Sequence, residues 1–185
     1  MLLIINNHDS FTYNLVDLLR RIEGLEMQVC DTENVDLDRV ADFSHLLISP
    51  GPDVPSAYPQ LFEILQRYHQ QKSILGVCLG HQTLCQFFGG ELYNLAQIRH
   101  GRSEVLRQTD SSLLFQNLPQ SFKIGLYHSW AIKNLPPCLQ ATAVDQDGTL
   151  MAMQHRTLPI FGVQFHPESF ITEHGEQMLR NWLAS

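Results

Sequence analysis

Strand-like and helix-like patterns alternate over the first half of the chain and predict an α/β fold: three layers around a doubly wound, mostly parallel sheet, extended by a β-rich antiparallel part. Two observations carry this. Short runs at Leu2–Ile5, Met27–Cys30, His45–Ser49 and Ile74–Val77 read as strands, the first and last uninterruptedly apolar as buried strands of a parallel sheet are, with helical periodicity between most of them. After Gly89-Gly90 the alternation gives way to short segments parted by turns, the texture of antiparallel returns. A length of 185 residues, 44% of them hydrophobic and 17% charged, suits one globular domain over residues 1–185.

Taken in order, Leu2 to Ile5 form the first strand, and Asn6-Asn7-His8-Asp9 leave its carboxyl end. Asp9 or Ser10 can cap a helix on which Phe11, Leu15, Leu18, Leu19 and Ile22 recur at helical spacing, closed by Gly24. Met27 to Cys30 make a second strand. Val35 to Phe43 read as a helix with an acidic, solvated face. After the His45–Ser49 strand comes Pro50-Gly51-Pro52-Asp53-Val54-Pro55, whose prolines stiffen the backbone and remove donors. Such a loop at a strand's carboxyl end is where open α/β sheets hold ligands, although a rigid connection is the simpler reading of it alone. Leu61, Phe62, Ile64, Leu65 and Tyr68 form an amphipathic helix leading back to the sheet.

The next stretch organises the rest. Ile74 to Val77 run straight into Gly76-Val77-Cys78-Leu79-Gly80, and helical periodicity follows from Gln82 to Phe88. This is a nucleophile-elbow pattern with cysteine as the reactive residue. Its glycines permit a sharp turn and close packing, and the helix N-terminus favours a thiolate. A lone cysteine after a strand is commonly just a packed core thiol; the two flanking glycines favour the nucleophile.

Beyond Gly90, segments at Glu91–Tyr93, Glu104–Arg107, Phe122–Leu126, Leu139–Val144 and Leu150–His155 read as strands, with an Asp147-Gly148 turn between the last two. Pro159 to Phe165 form the final strand, ending in His166-Pro167-Glu168. Proline at 167 holds His166 extended, so residues 166 and 168 project to one side and the carboxylate can orient the ring. With Cys78 they make a nucleophile, a base and an orienting acid. Glu173 to Leu183 close the chain as an amphipathic helix with Met178, Leu179, Trp182 and Leu183 inward.

Composition excludes several classes. A formal charge of −7 argues against nucleic acid, which requires a basic face. The nine histidines form no zincin pair and the four cysteines no C-x-x-C, so neither a metal nor a disulfide framework is expected. No apolar run approaches the roughly 20 residues of a membrane span, and no basic leader precedes the first strand. Reduced thiols in the cytoplasm fit this pattern.

Together GVCLGHQ, SPGP and GVQFHPES resemble the class I glutamine amidotransferases, and NNHDSFTYNLV with YHSW narrows the likeness. The chain is similar to the glutaminase subunit, component 2, of anthranilate and aminodeoxychorismate synthases, from residue 1 to about 183. The resemblance implies a flavodoxin-like sheet and a reaction needing no cofactor, in which L-glutamine is hydrolysed to glutamate and ammonia. It assigns Cys78 as nucleophile, His166 as base and then acid, and Glu168 as its orienter. It places the oxyanion between the N–H groups of Leu79 and Gly51, and glutamine among Gly51, Pro52, Asp53, Gln82, Ser129 and Trp130. Ammonia would pass to a chorismate-amination subunit, component 1, on a separate chain, since the whole length is used by the glutaminase fold. The YHSW segment leans toward the aminodeoxychorismate type. Three positions depart from the family pattern: Asn6 stands where aspartate is usual, Asp53 where glycine is common and Trp130 where leucine is more usual. A stand-alone Cys/His/Glu hydrolase of glutamyl peptides and a non-catalytic module are the competing readings.

Overall fold

A computed structural model describes residues 1–185. Along the chain come β1 (Leu2–Asn6), α1 (Thr12–Leu19), β2 (Met27–Asp31), β3 (His45–Ile48), α2 (Pro59–Tyr68), β4 (Ser73–Val77) and α3 (Leu79–Phe87). There follow β5 (Glu91–Gln108), β6 (Ser121–Asn134), β7 (Leu139–Val144), β8 (Leu150–His155), β9 (Ile160–Val163) and α4 (Gly175–Leu183). All nine strands join one sheet in the order β2-β1-β3-β4-β9-β8-β7-β5-β6. Strands β2, β1, β3, β4 and β9 pair in parallel, and β8, β7, β5 and β6 continue it antiparallel. The expected parallel half and antiparallel extension are both present.

Two apolar clusters show why Leu2–Ile5 of β1 and Ile74–Val77 of β4 carry no polar side chain. Leu2 and Ile4 of β1 face a cluster with Leu15 and Leu19 of α1 and Met178, Leu179 and Trp182 of α4. Leu3 and Ile5 face the opposite side, with Leu61, Ile64 and Leu65 of α2. Alternate side chains of one strand thus enter different layers, and both layers are helix-covered.

Three expectations are corrected. Val35–Phe43 is not an α-helix: the segment holds only a 3-10 turn at Arg39–Asp42, following another at Thr32–Asn34. Asp36 instead accepts the Asp38 N–H with its side chain, a local bond that competes with helix formation. At the start of α1 neither Asp9 nor Ser10 is the cap: Phe11 occupies that position without a side-chain bond, and Asp9 Oδ1 accepts the Phe11 N–H one step earlier. Finally, Glu91–Tyr93 and Glu104–Arg107 are two ends of one bulged strand, β5, and Phe122–Leu126 runs on through Asn134 as β6. The Tyr127–Trp130 segment therefore lies on a strand. No helix is long and apolar enough to cross a membrane.

Candidate active site

Cys78 stands between β4 and α3 with φ 52° and ψ −99°, a strained backbone for a residue carrying a side chain. The surroundings enforce it. The Cys78 N–H donates to the Val163 carbonyl at 2.8 Å, tying the turn to β9. A Cβ on Gly76 would collide with the Gly80 backbone, and one on Gly80 with the Ile48 carbonyl. Glycine at both positions lets α3 start against the sheet, which turns the thiol out at the strand end.

His166 follows β9, and its Nδ1 lies 2.7 Å from Glu168 Oε1. Both side chains are shut away from water, at 2% and 0% exposure. Phe11 and Tyr127 stack edge-on against the ring at 5.1 and 4.9 Å between centroids, and Thr172 Oγ1 donates to the His166 carbonyl. Burial pushes the imidazole pKa down, but the Glu168 charge, then Cys78, outweigh it and raise the value to about 10. Glu168 fixes Nδ1 as a donor, so Nε2 is the nitrogen left to work. That Nε2 is buried and holds no formed hydrogen bond, while Cys78 is near enough to influence the ring's protonation.

A cavity of about 350 Å³ opens over the sulfur, and its wall includes Gly51, Pro52, Asp53, Cys78, Leu79, Gln82, Ser129 and Trp130. Every expected substrate residue is thus brought together with the nucleophile. His166 and Glu168 do not reach the cavity wall. Larger hollows beside Tyr93 and Leu150, and beside Phe115 and Gln154, contain none of these groups. The N–H groups of Leu79 and Gly51 donate no hydrogen bond within the chain, and Gly51 packs so tightly on the Leu79 side chain that a Cβ there would clash. Two free donors beside one thiol are what an oxyanion needs.

Several supporting residues escaped sequence reasoning. Asn7 Nδ2 donates to the Ser49 carbonyl at 2.8 Å and its N–H to Ser49 Oγ at 2.9 Å, holding the strand end from which the Pro50–Pro55 loop departs. Gln164, fully buried, donates from Nε2 to Cys78 Sγ at 3.6 Å and accepts from Gln82 at 3.1 Å. Both belong to motifs already noticed, but only the fold shows what their amides touch. Asn6 donates from Nδ2 to Asp31 Oδ1 at 2.7 Å, which an aspartate there could not do at neutral pH.

The family model of the class-I glutamine amidotransferases matches residues 3–185. The chain belongs to this family.

A Haemophilus influenzae relative, provisionally named anthranilate synthase component II, is 57% identical over 99% of this chain and 95% of its own length. The aminodeoxychorismate/anthranilate synthase component 2 of Bacillus subtilis is 39% identical over 100% and 96%. Anthranilate synthase component 2 of Pseudomonas aeruginosa is 38% identical over 99% and 94%. Among solved structures, a glutamine amidotransferase of Thermotoga maritima superposes with a TM-score of 0.78 at 16% identity, covering 99% of this chain and 80% of its own.

Within this amidotransferase, Gln82 is held rather than free: its Nε2 donates to the Trp130 carbonyl at 2.9 Å, leaving Oε1 without a partner in the chain. That carbonyl also faces His128 Nδ1 at 2.8 Å. Trp130 meets both neighbours through its backbone carbonyl, a contact that does not depend on whether tryptophan or leucine stands there. Asp53 is exposed, and its Oδ1 accepts the Val54 N–H. His8, Asp31 and Glu33 gather within 4.8 Å, but the His8–Glu33 ion pair at 2.9 Å accounts for that cluster.

Proposed function

We propose that this chain is the glutaminase subunit of a two-chain chorismate-amination enzyme. The observation that carries the proposal is the strained Cys78 facing a cavity, with the buried His166–Glu168 pair and the unpartnered N–H groups of Leu79 and Gly51 grouped around it. Glutamine enters with its side-chain amide over the sulfur. The Cys78 thiolate attacks the carbonyl carbon, and the oxygen takes up negative charge between the two free donors, each worth about 3 kcal/mol in the transition state. His166, holding its proton on Nε2, passes it to the departing nitrogen, and ammonia leaves. The same nitrogen then takes a proton from water, which attacks the thioester carbonyl and releases glutamate and the free sulfur. Glu168 holds the ring in the tautomer required and stabilises its charge throughout.

The ammonia goes to chorismate on a separate component 1 chain, giving 4-amino-4-deoxychorismate or anthranilate. Relatives with component 2 names of both kinds support the partnership. Ammonia is protonated near neutral pH and diffuses away, so the acceptor site must dock over the cavity. The loops Asn6–Ser10 and Pro50–Pro55 and the Tyr127–Trp130 segment form its rim, where a partner can seal the pocket and adjust the Cys78–His166 geometry. The test is glutamate release from glutamine by the chain alone and with each type of component 1. Release should be weak alone and rise with the matching subunit, whose chorismate product identifies the pathway. Full release by the isolated chain, unchanged by either subunit, would favour a stand-alone hydrolase.

A further inference from the structure

The Gln164 amide is oriented by a chain of hydrogen bonds that begins 34 residues earlier in sequence, on β6. The Trp130 carbonyl can only accept, so Gln82 must turn its nitrogen toward it, at 2.9 Å. The second N–H of that nitrogen then meets Gln164 Oε1 at 3.1 Å. With its oxygen so engaged, Gln164 has only its own N–H to offer the other side, where Cys78 Sγ lies at 3.6 Å. His128 locks the far end by donating from Nδ1 to the same Trp130 carbonyl, and burial lowers its pKa to about 4, which keeps it neutral. Gln164 is fully buried and Gln82 nearly so, which limits solvent competition for these bonds.

We propose that Gln164 is a further catalytic residue, a donor aimed at the Cys78 sulfur that holds its anionic form ready for attack. A hydrogen bond to the charged form of a group favours that form, and a buried donor does so most strongly. The proposal rests on Cys78 being the nucleophile. It adds that the reactivity of the thiol depends on β6, because displacing Trp130 would free Gln82 and let the Gln164 amide turn its oxygen to the sulfur. The other titratable groups around the sulfur are His166 with Glu168 after β9, Tyr127 and His128 on β6, His100 on β5, Asp9 after β1 and Asp53 after β3.

The experiment alkylates the full-length chain with iodoacetamide between pH 6 and 9.5 and follows the Cys78 peptide by mass spectrometry. Gln164→Met keeps the volume and removes the donor; Gln164→Leu is the second variant should the first fold poorly by circular dichroism. Cys85, whose thiol burial pushes up to about 12, is an internal reference that should stay unlabelled in a folded chain. At pH 7 the Cys78 rate should fall about tenfold in the variants, and at pH 9.5 it should approach wild type. A rate that is unchanged at pH 7, or lowered equally at every pH, would overturn the donor role. Because the readout uses neither glutamine nor a partner, its failure is separate from failure of the glutaminase reading, which Cys78→Ala turnover tests.

Discussion

Glu168 Oε1 lies 2.7 Å from His166 Nδ1, and both side chains are buried. In the proposed reaction the ring carries the proton to and from the reacting atoms, whereas an amide in place of the carboxylate can still position the ring. His166→Ala should therefore reduce glutamine-dependent turnover nearly as far as loss of Cys78, and Glu168→Gln should reduce it less. Steady-state kinetics of both variants in complex with component 1 decide this. Equal losses would mean that the carboxylate's charge, rather than its placement of the ring, dominates.

The raised His166 pKa has a consequence for stability. Its charged ring is favoured in the fold, so this contribution is complete below the unfolded value of 6.5 and is lost as pH rises toward about 10. Denaturant unfolding of wild type should show stability declining from pH 7 to 10. In His166→Ala that decline should be shallower, and identical slopes would contradict the assignment.

Acid works through other histidines. Burial holds His81 at about 3 and His128 at about 4, so each is neutral in the fold and must be charged on unfolding in acid. Their contribution is complete above pH 6.5 and is lost as pH falls toward about 4 for His128 and about 3 for His81. His128→Asn keeps a donor toward the Trp130 carbonyl without titrating. Its stability should fall less steeply than wild type between pH 6.5 and 4 in the same denaturant assay.

Close packing at the elbow gives a steric prediction. A methyl group at Gly80 would meet the Ile48 carbonyl, a backbone atom that cannot swing aside. Gly80→Ala should cost about 1–3 kcal/mol of unfolding free energy, the usual range for overpacking, and should also lower turnover by moving Cys78. Urea unfolding and kinetics on the same preparation test both parts.

Much of this was legible in the sequence, for physical reasons that differ by region. Leu2–Ile5 and Ile74–Val77 are apolar without interruption because both faces are covered, and Gly76 and Gly80 announced the close approach at Cys78. Strand β5 was not legible as one element. Most of its residues are exposed, so it carries no alternation, and register shifts around Asn94–Arg99 and Gly101 break it into apparent fragments. The Val35–Phe43 segment buries Val40 and Phe43 at helical spacing, which imitates a helix while the surrounding aspartates favour turns. Gln164 was missed because its role depends on Trp130 and Gln82, partners that only the folded sheet brings beside it.

Asp53 tests how the loop treats a substrate carboxylate. It is exposed, and its carboxylate is engaged by the Val54 N–H. Asp53→Gly should change KM for glutamine less than tenfold, under about 1.4 kcal/mol. A larger fall in KM would mean that the charge repels substrate within the cavity.

If Cys78 produces ammonia and takes no part in building the acceptor site, its loss should stop one nitrogen source and spare the other. Cys78→Ala, assembled with component 1, is assayed for aminated chorismate product with glutamine and, separately, with an ammonium salt as nitrogen source. Glutamine-dependent product should disappear while ammonium-dependent product stays near the wild-type rate. Glutamine-dependent turnover within tenfold of wild type would contradict it.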